Sequence, residues 1–249
     1  MFAHRGGSAL APENTLPAFD RGLSLGADGL ELDMHLSRDG VVVVHHDRLL
    51  YRTTNLRGPV ADVAASDLAR ADAGYRFQQA ETFPFRGAGI GVPTLADVLT
   101  RHRDTRIIIE VKVNSVEMAS AVVAAVRAAK AVDRVCIGSF ALSVMRAVRA
   151  LEPAMATSAA REEVRWALYR SWVSWPIARP RYQGYQVPER SGRTRVVSAR
   201  FIAAAHRAGL GVQVWTVDTA EDARRLLAWG ADALISDRPD VVVPLAATL

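Results

Sequence analysis

The sequence predicts an α/β fold: an irregular TIM (β/α)8 barrel, a single domain over residues 1–249. Three observations carry that reading. Short β-branched runs alternate with segments of helical period, the pattern of a parallel sheet with crossover helices. The 249-residue length suits one barrel. Hydrophobic residues make up 50% of the chain, enough for a large core.

Strand-like runs fall at residues 2–4, 29–34, 41–46, 106–113, 134–140, 154–158, 184–187, 211–217 and 233–236. Nine runs compete for the eight places of a barrel. The connection from Met34 to Val41 is too short for a helical crossover, which takes about a dozen residues, and Asp39-Gly40 signals a tight turn there. A hairpin-like feature is expected at that point. Helical periodicity marks residues 14–25, 95–101, 115–131, 143–150, 162–172, 199–208 and 220–229. Asn14, Thr94 and Asp218-Thr219 are placed as N-caps, and Gly209 and Gly230 follow apolar faces as C-terminal stops. Residues 48–93, rich in Arg, Asp, Gly and Pro, exceed an ordinary loop and read as a small subdomain inserted at the barrel mouth. Residues 171–195 also break the alternation. Their Trp172, Trp175, Tyr182 and Tyr185, set among arginines, read as a surface loop packed by its own aromatics or as a lid contacting an anionic, lipid-like substrate.

Composition excludes several classes. No apolar run approaches the roughly 18 to 20 residues that cross a bilayer, so no stable membrane insertion is expected. The N-terminus lacks the charged and apolar regions of a leader, and strand-like sequence starts at Phe2, so a cytoplasmic protein is expected. The single cysteine, Cys136, rules out an internal disulfide and reads as a small core residue. Net charge is +5, yet the 31 basic residues include only two lysines, Lys112 and Lys130. That bias, with abundant alanine, points to a GC-rich genome. The arginines are scattered without a recognition motif, so no nucleic-acid partner is expected. Against such a background Lys112, two residues after Glu110, marks a site that wants a compact ammonium.

Side chains alternate along a strand, so Glu31 and Asp33 share a face and can grip one ion. Glu110 and Lys112 repeat that geometry on a later strand. Three carboxylates at a barrel's C-terminal mouth make an all-oxygen site suited to one divalent cation, Mg²⁺ or Ca²⁺. Zinc is disfavoured, because no Cys/His cluster has its spacing. Any one of these acids alone is explained by an arginine partner. Their placement within apolar strands argues for a role, since an unpaired buried carboxylate is costly. His4 precedes Arg5-Gly6-Gly7, whose glycines let the backbone turn close to a ligand while Arg5 offers a fork to phosphate. His46 shares strand parity with Val42 and Val44, which prefers it over His45 where that face points inward. Asp47 is placed to orient an imidazole, whereas His102 and His206 read as structural.

These residues are similar to a known family. His4-Arg5-Gly6-Gly7, Pro12-Glu13-Asn14-Thr15 with Phe19, the run 26–33, Asp39-Gly40 and His46-Asp47 resemble the N-terminal signature of the glycerophosphodiester phosphodiesterases. Arg52-Thr53-Thr54, Pro93-Thr94-Leu95, Glu110-Val111-Lys112, Ser139-Phe140, the run 214–217 and Ser236-Asp237-Arg238-Pro239 match later blocks in order. Each block is weak alone, and their order over nearly the whole chain makes the resemblance specific.

The resemblance implies a phospholipase C-like barrel with a small insertion after the second-histidine strand. It implies that Glu31, Asp33 and Glu110 bind a divalent metal and that His4 and His46 act as general acid and base. Arg5 and Lys112 would hold the phosphate, Trp215 would line the pocket, and Glu13, Asn14 and Asp47 would support them. The implied reaction is metal-dependent hydrolysis of a small-molecule glycerophosphodiester to glycerol 3-phosphate and an alcohol. Two alternatives stand beside it. One is phospholipase D-like action on lysophospholipids or sphingolipids, with 171–195 in weak contact with lipid. The other is a non-catalytic phosphodiester-binding protein. Head group, choice of cation and oligomeric state have no readable code.

Overall fold

The computed structural model describes residues 1–177 and 180–246. Its strands in chain order are β1 (Phe2–His4), β2 (Gly29–Leu36), β3 (Val42–Val44), β4 (Arg106–Val111), β5 (Val135–Gly138) and β6 (Ala156–Thr157). They continue with β7 (Gly184–Pro188), β8 (Arg190–Ser191), β9 (Thr194–Arg195), β10 (Gly211–Trp215) and β11 (Ala233–Ser236). Eight of these pair side by side in the order β6-β5-β4-β2-β1-β11-β10-β7, each contact parallel. The ring closes between its ends. Gln183 N–H donates to the Thr157 carbonyl and Ala159 N–H to the Gly184 carbonyl, both at 2.9 Å, around a parallel Ser158–Gly184 bridge. The fold is a TIM barrel, as its alternating pattern predicts.

The ninth strand candidate finds its place outside the ring. β3 folds back on β2 antiparallel, with Met34 opposite Val44 and Leu36 opposite Val42. Gly40, at φ +76°, makes the intervening turn. The hairpin expected there is present. Residues 48–93 follow it and pack Leu50, Val60, Leu68 and Val92 with Val43 of β3 into a small hydrophobic cluster apart from the main core.

The helices are α1 (Leu16–Ser24), α2 (Ala65–Leu68), α3 (Leu95–Arg101), α4 (Val116–Ala128), α5 (Leu142–Leu151), α6 (Arg161–Trp172), α7 (Ala199–Arg207), α8 (Ala220–Ala228) and α9 (Pro239–Ala246). The main core lies between their inner faces and the outward side chains of the strands. Leu30, Leu32, Ile107 and Ile109 point out of the ring into this layer, where they join Val122 and Val126 of α4. The opposite parity, Glu31, Asp33, Ile108 and Glu110, is thereby left for the barrel interior.

Several sequence expectations are corrected at this level. Thr15, not Asn14, caps α1, accepting from Ala18 N–H. α9 lies beyond the last helical run expected from the sequence and holds Pro244 within it, a residue without a backbone donor. The 171–195 stretch is not one loop: it holds the end of α6, the strand β7 and the β8-β9 hairpin, while residues 178 and 179 lie outside the described residues. Tyr182 and Tyr185 are core residues, their hydroxyls 3.0 Å apart and the Tyr185 ring tilted against Phe201 at 5.1 Å between centroids. Cys136 is only partly buried, facing the Gln186 amide at 3.6 Å.

Candidate active site

The strands that carry the site bring their side chains together at the level where β1 and β4 end, with His4 beside Glu31 and Asp33 beside Glu110. His4 is the last residue of β1, and the chain then passes through three residues in the left-handed region, Arg5 (φ +50°), Gly6 (φ +88°) and Gly7 (φ +95°). Gly6 has no substitute. A Cβ there would sit 2.7 Å from the Ala18 carbonyl carbon, as well as carrying the strain of positive φ. The turn aims the backbone N–H of Arg5 at Glu31 Oε2, 3.2 Å away.

Glu31, Asp33 and Glu110 converge, with one ligand oxygen from each within 4.8 Å of the others. Asp33 is fully buried and Glu31 is 4% exposed. Burial, reinforced by the charge of Asp33, pushes the Glu31 carboxyl up to about 8. Three acids held this close repel one another, and Glu110 Oε1 is buried with no hydrogen-bond partner. Both features fit a hard divalent cation bound by these three residues. Lys112 Nζ lies 3.0 Å from Asp33 Oδ1 and 2.9 Å from Glu110 Oε2, and its burial is outweighed by the two carboxylates, which raise its pKa. Arg5 reaches the same cluster, its Nε 3.2 Å from Asp33 Oδ2 and its Nη1 3.0 Å from Glu13 Oε1. Although burial opposes it, the charges of Lys112 and Arg5 hold the Asp33 carboxyl below its usual range.

The two histidines are held alike. His4 Nδ1–H donates to Asp237 Oδ1 at 2.6 Å, and its Nε2 faces Glu31 Oε2 at 3.7 Å. Burial lowers its pKa, but Glu31 and Asp237 outweigh burial and raise it. His46 Nδ1–H donates to Asp47 Oδ1, also at 2.6 Å. In both rings a carboxylate fixes the Nδ1–H tautomer and leaves Nε2 as the working nitrogen. His4 and His46 line one cavity of about 820 Å³ together with Arg5, Glu31, Glu110, Lys112 and Trp215.

The reason His46 reaches the cavity differs from the parity argument. β3 ends at Val44, so His46 lies beyond the strand in a bend, and all three residues of β3 are buried. His45 turns away to bond the Asp47 carbonyl (2.8 Å) and Thr53 Oγ1 (3.1 Å). His35 Nε2, 3.0 Å from the His46 carbonyl oxygen, pins the bend from below.

The supporting residues are tied to the same network. Asn14 donates from Nδ2 to Asp33 Oδ2 at 2.8 Å, a bond open to it because Thr15 does the capping. Glu13 accepts from Arg5 and, through two 2.7 Å bonds, from Arg52. Arg52 also donates through Nε to Asp47, so one guanidinium links both acids. Asp237, Arg52 and His35 received no role from sequence reasoning. Asp237 and Arg52 stood inside recognised blocks, but their partners lie 233, 39 and 5 positions away, and only folding shows which side chains meet. His102 and His206 lie outside this cavity: His102 packs edge-on to Phe19, and His206 pairs with Asp232 at 2.9 Å.

The barrel gathers a carboxylate cluster and two carboxylate-held histidines on one cavity, an arrangement equipped for acid/base chemistry. Comparison with known proteins specifies it. A model of the glycerophosphoryl diester phosphodiesterase family matches residues 4–241, and the chain belongs to that family. A glycerophosphodiester phosphodiesterase of Caldanaerobacter subterraneus is 32% identical over 98% of this chain and 96% of its own. YqiK of Bacillus subtilis, itself uncharacterized, is 36% identical over 96% of this chain and 95% of its own. Among solved structures, a glycerophosphodiester phosphodiesterase from Agrobacterium tumefaciens superposes with a TM-score of 0.78 at 29% identity, covering 98% of both chains.

Proposed function

We propose that this protein hydrolyses glycerophosphodiesters to glycerol 3-phosphate and an alcohol by acid/base catalysis between His4 and His46, assisted by a divalent cation on Glu31, Asp33 and Glu110. Family membership supports the reaction class. The observation that carries the mechanism is the pair of matched Asp–His contacts, each 2.6 Å, on one cavity that also holds the three acids. When bound, the cation would supply Lewis-acid charge that stabilises negative oxygen and lowers the pKa of a hydroxyl. All other steps fall to side chains.

Arg5 and Lys112 present positive charge to the phosphate, where they stabilise the charge that builds on its oxygens. Trp215 lines the cavity and packs edge-on to Phe140, 6.3 Å between centroids, forming an apolar wall for the substrate carbon skeleton. One histidine takes a proton at Nε2 from a substrate glycerol hydroxyl as that oxygen attacks phosphorus. The other gives a proton to the departing alcohol. A cyclic phosphate results, and water opens it with the two roles exchanged. Each ring contributes on the order of 10² to 10⁴-fold. Asp237 and Asp47 stabilise the imidazolium forms and keep Nε2 aimed at the cavity.

Residues 48–93 act in this scheme as an inserted subdomain at the mouth, supported by their separate apolar cluster and by the delivery of Arg52 to Glu13 and Asp47. No helix among the described residues is long and apolar enough to cross a membrane. The test is release of glycerol 3-phosphate from a panel of soluble glycerophosphodiesters, with chelator, Mg²⁺ and Ca²⁺ in turn. Turnover that requires a cation is expected. Undiminished turnover after exhaustive chelation would remove the cation from the scheme.

A further inference from the structure

The cavity is larger than the catalytic cluster needs, and one wall of it is α6, which carries an exposed aromatic stripe beside the one that lines the cavity. Residues 161, 164, 165, 168, 169 and 172 of α6 line the cavity, one stripe at helical spacing. The neighbouring stripe faces solvent. Trp166 is 68% exposed, and Val173 and Trp175 in the turn after α6 are 72% and 61% exposed. Tyr169 and Trp172 belong to both stripes, lining the cavity while remaining 45% and 50% exposed. The rings form a row: Trp166 to Tyr169 spans 6.4 Å between centroids, and Tyr169 to Trp172 spans 5.4 Å. A soluble protein seldom leaves such a contiguous apolar row unless something covers it.

The stretch of sequence that carries the row is basic, and that limits what covers it. Between Pro153 and Val217 the sequence carries ten arginines against three acidic residues, Glu162, Glu163 and Glu189. Glu163 is bound to Arg149 and Glu189 to Arg225, so most of the local negative charge is already neutralised. Arg161, Arg165 and Arg190 stand at the cavity wall, and none of them forms an ion pair among the described residues, although the Arg161 guanidinium lies over the Phe140 ring at 4.9 Å. Arg200 frames the far side, donating to the Trp172 carbonyl oxygen and to Ser174 Oγ. Exposed tryptophan and tyrosine beside uncommitted arginine matches a headgroup layer: the rings suit its polar–apolar boundary and the guanidinium groups suit its phosphates. Continuity with the cavity points the same way. A protein partner seated on Tyr169 and Trp172 would cover the edge of the cavity that these two residues line, whereas a membrane leaves single lipid molecules free to enter.

We propose that the outer face of α6 and the turn through Trp175 form a docking surface for a membrane bearing anionic headgroups, placing the cavity mouth against that membrane. The surface is peripheral and reversible. The aromatic row enters the headgroup layer without a spanning segment, and arginine attraction makes binding sensitive to salt. This docking does not depend on the catalytic scheme, because none of Trp166, Val173 and Trp175 touches the acids or the histidines.

The experiment is co-sedimentation of the intact chain with phosphatidylcholine vesicles, with and without phosphatidylglycerol, alongside quenching of tryptophan fluorescence by lipids brominated in the acyl chain. Binding to the anionic vesicles that weakens with salt, together with quenching, is the expected result. The pair Trp166→Ser and Trp175→Ser should weaken that binding about tenfold while leaving turnover of soluble glycerophosphocholine unchanged. Absence of wild-type binding to anionic vesicles would overturn the proposal, as would a double variant that binds as well as wild type. Self-association that the same substitutions abolish, with no vesicle binding, would assign the face to a second copy of the chain instead. Vesicle binding is read without turnover, so failure here and failure of the hydrolase reading are separate outcomes.

Discussion

His4 Nδ1 and Asp237 Oδ1 lie 2.6 Å apart although 233 positions separate them. The contact exists because β1 and β11 are neighbours in the ring, with Ala3 in register with Ser236, so the first and last strands end at the same level. Asp218 then fixes the loop, accepting from Ser236 Oγ at 2.9 Å and from Asp237 N–H at 2.8 Å. Ser8 Oγ–H donates to the same Asp237 oxygen at 2.6 Å. The His4 ring near one end of the chain is thus held by a carboxylate from near the other end.

Asp237→Asn should lower kcat by about 10- to 10²-fold with little change in KM. An amide in place of the carboxylate no longer selects the Nδ1–H tautomer or stabilises the imidazolium. Steady-state kinetics on a soluble glycerophosphodiester measures both parameters, and a change confined to KM would assign Asp237 to substrate binding.

Arg52 bonds Glu13 and Asp47 at once, and neither a lysine nor an alanine can reproduce that fork. Arg52→Lys and Arg52→Ala should each cut kcat about tenfold by loosening Asp47 behind His46. The same pair predicts a pH dependence. Burial opposes it, but hydrogen bonds from Arg52 and His46 hold the Asp47 carboxyl well below its ordinary value. A depressed native pKa gives stability that is fully present above the unfolded carboxylate value of about 3.9 and lost as pH falls through the native value. Urea unfolding across acidic pH should show the gap between wild type and Arg52→Ala constant above about pH 5 and closing below it.

Glu31→Gln removes one of three mutually repelling buried acids. Chelated wild type should therefore melt no higher than chelated Glu31→Gln, although the variant should lose turnover. Saturating divalent cation should raise the wild-type Tm, by about 2.7 kcal/mol of stability at a hundredfold excess over Kd, and should leave the variant almost unmoved. Differential scanning calorimetry with and without chelator reads both effects. A variant Tm rise equal to that of wild type would take Glu31 out of the ligand set.

Gly6→Ala should destabilise the fold by about 2 to 4 kcal/mol, because its Cβ would meet backbone atoms of α1 in a left-handed conformation. Thermal unfolding measures it. An unchanged Tm would mean that the turn after β1 can relax without moving His4.

The barrel was legible from its alternating pattern, and the acid cluster from strand parity: Glu31 and Asp33 do point inward while Leu30 and Leu32 join the outer core. The hairpin at Asp39-Gly40 was legible for a local reason, since a short link cannot cross a sheet. What escaped was set by contacts distant in sequence. Asp237 meets His4 only through barrel closure. His46 reaches the cavity because the chain bends past the end of β3, with His35 holding its carbonyl, and no period-2 pattern encodes a bend. The aromatic character of 171–195 was visible, but its division into buried Tyr182 and Tyr185 and exposed Trp172 and Trp175 depends on where α6 ends and β7 begins.

The most direct test of the two-histidine site is turnover of a soluble glycerophosphodiester by His4→Ala and His46→Ala, each with saturating divalent cation and confirmed to be folded. The site geometry predicts a loss of about 10² to 10⁴-fold in each variant. Near wild-type turnover in either one would contradict it.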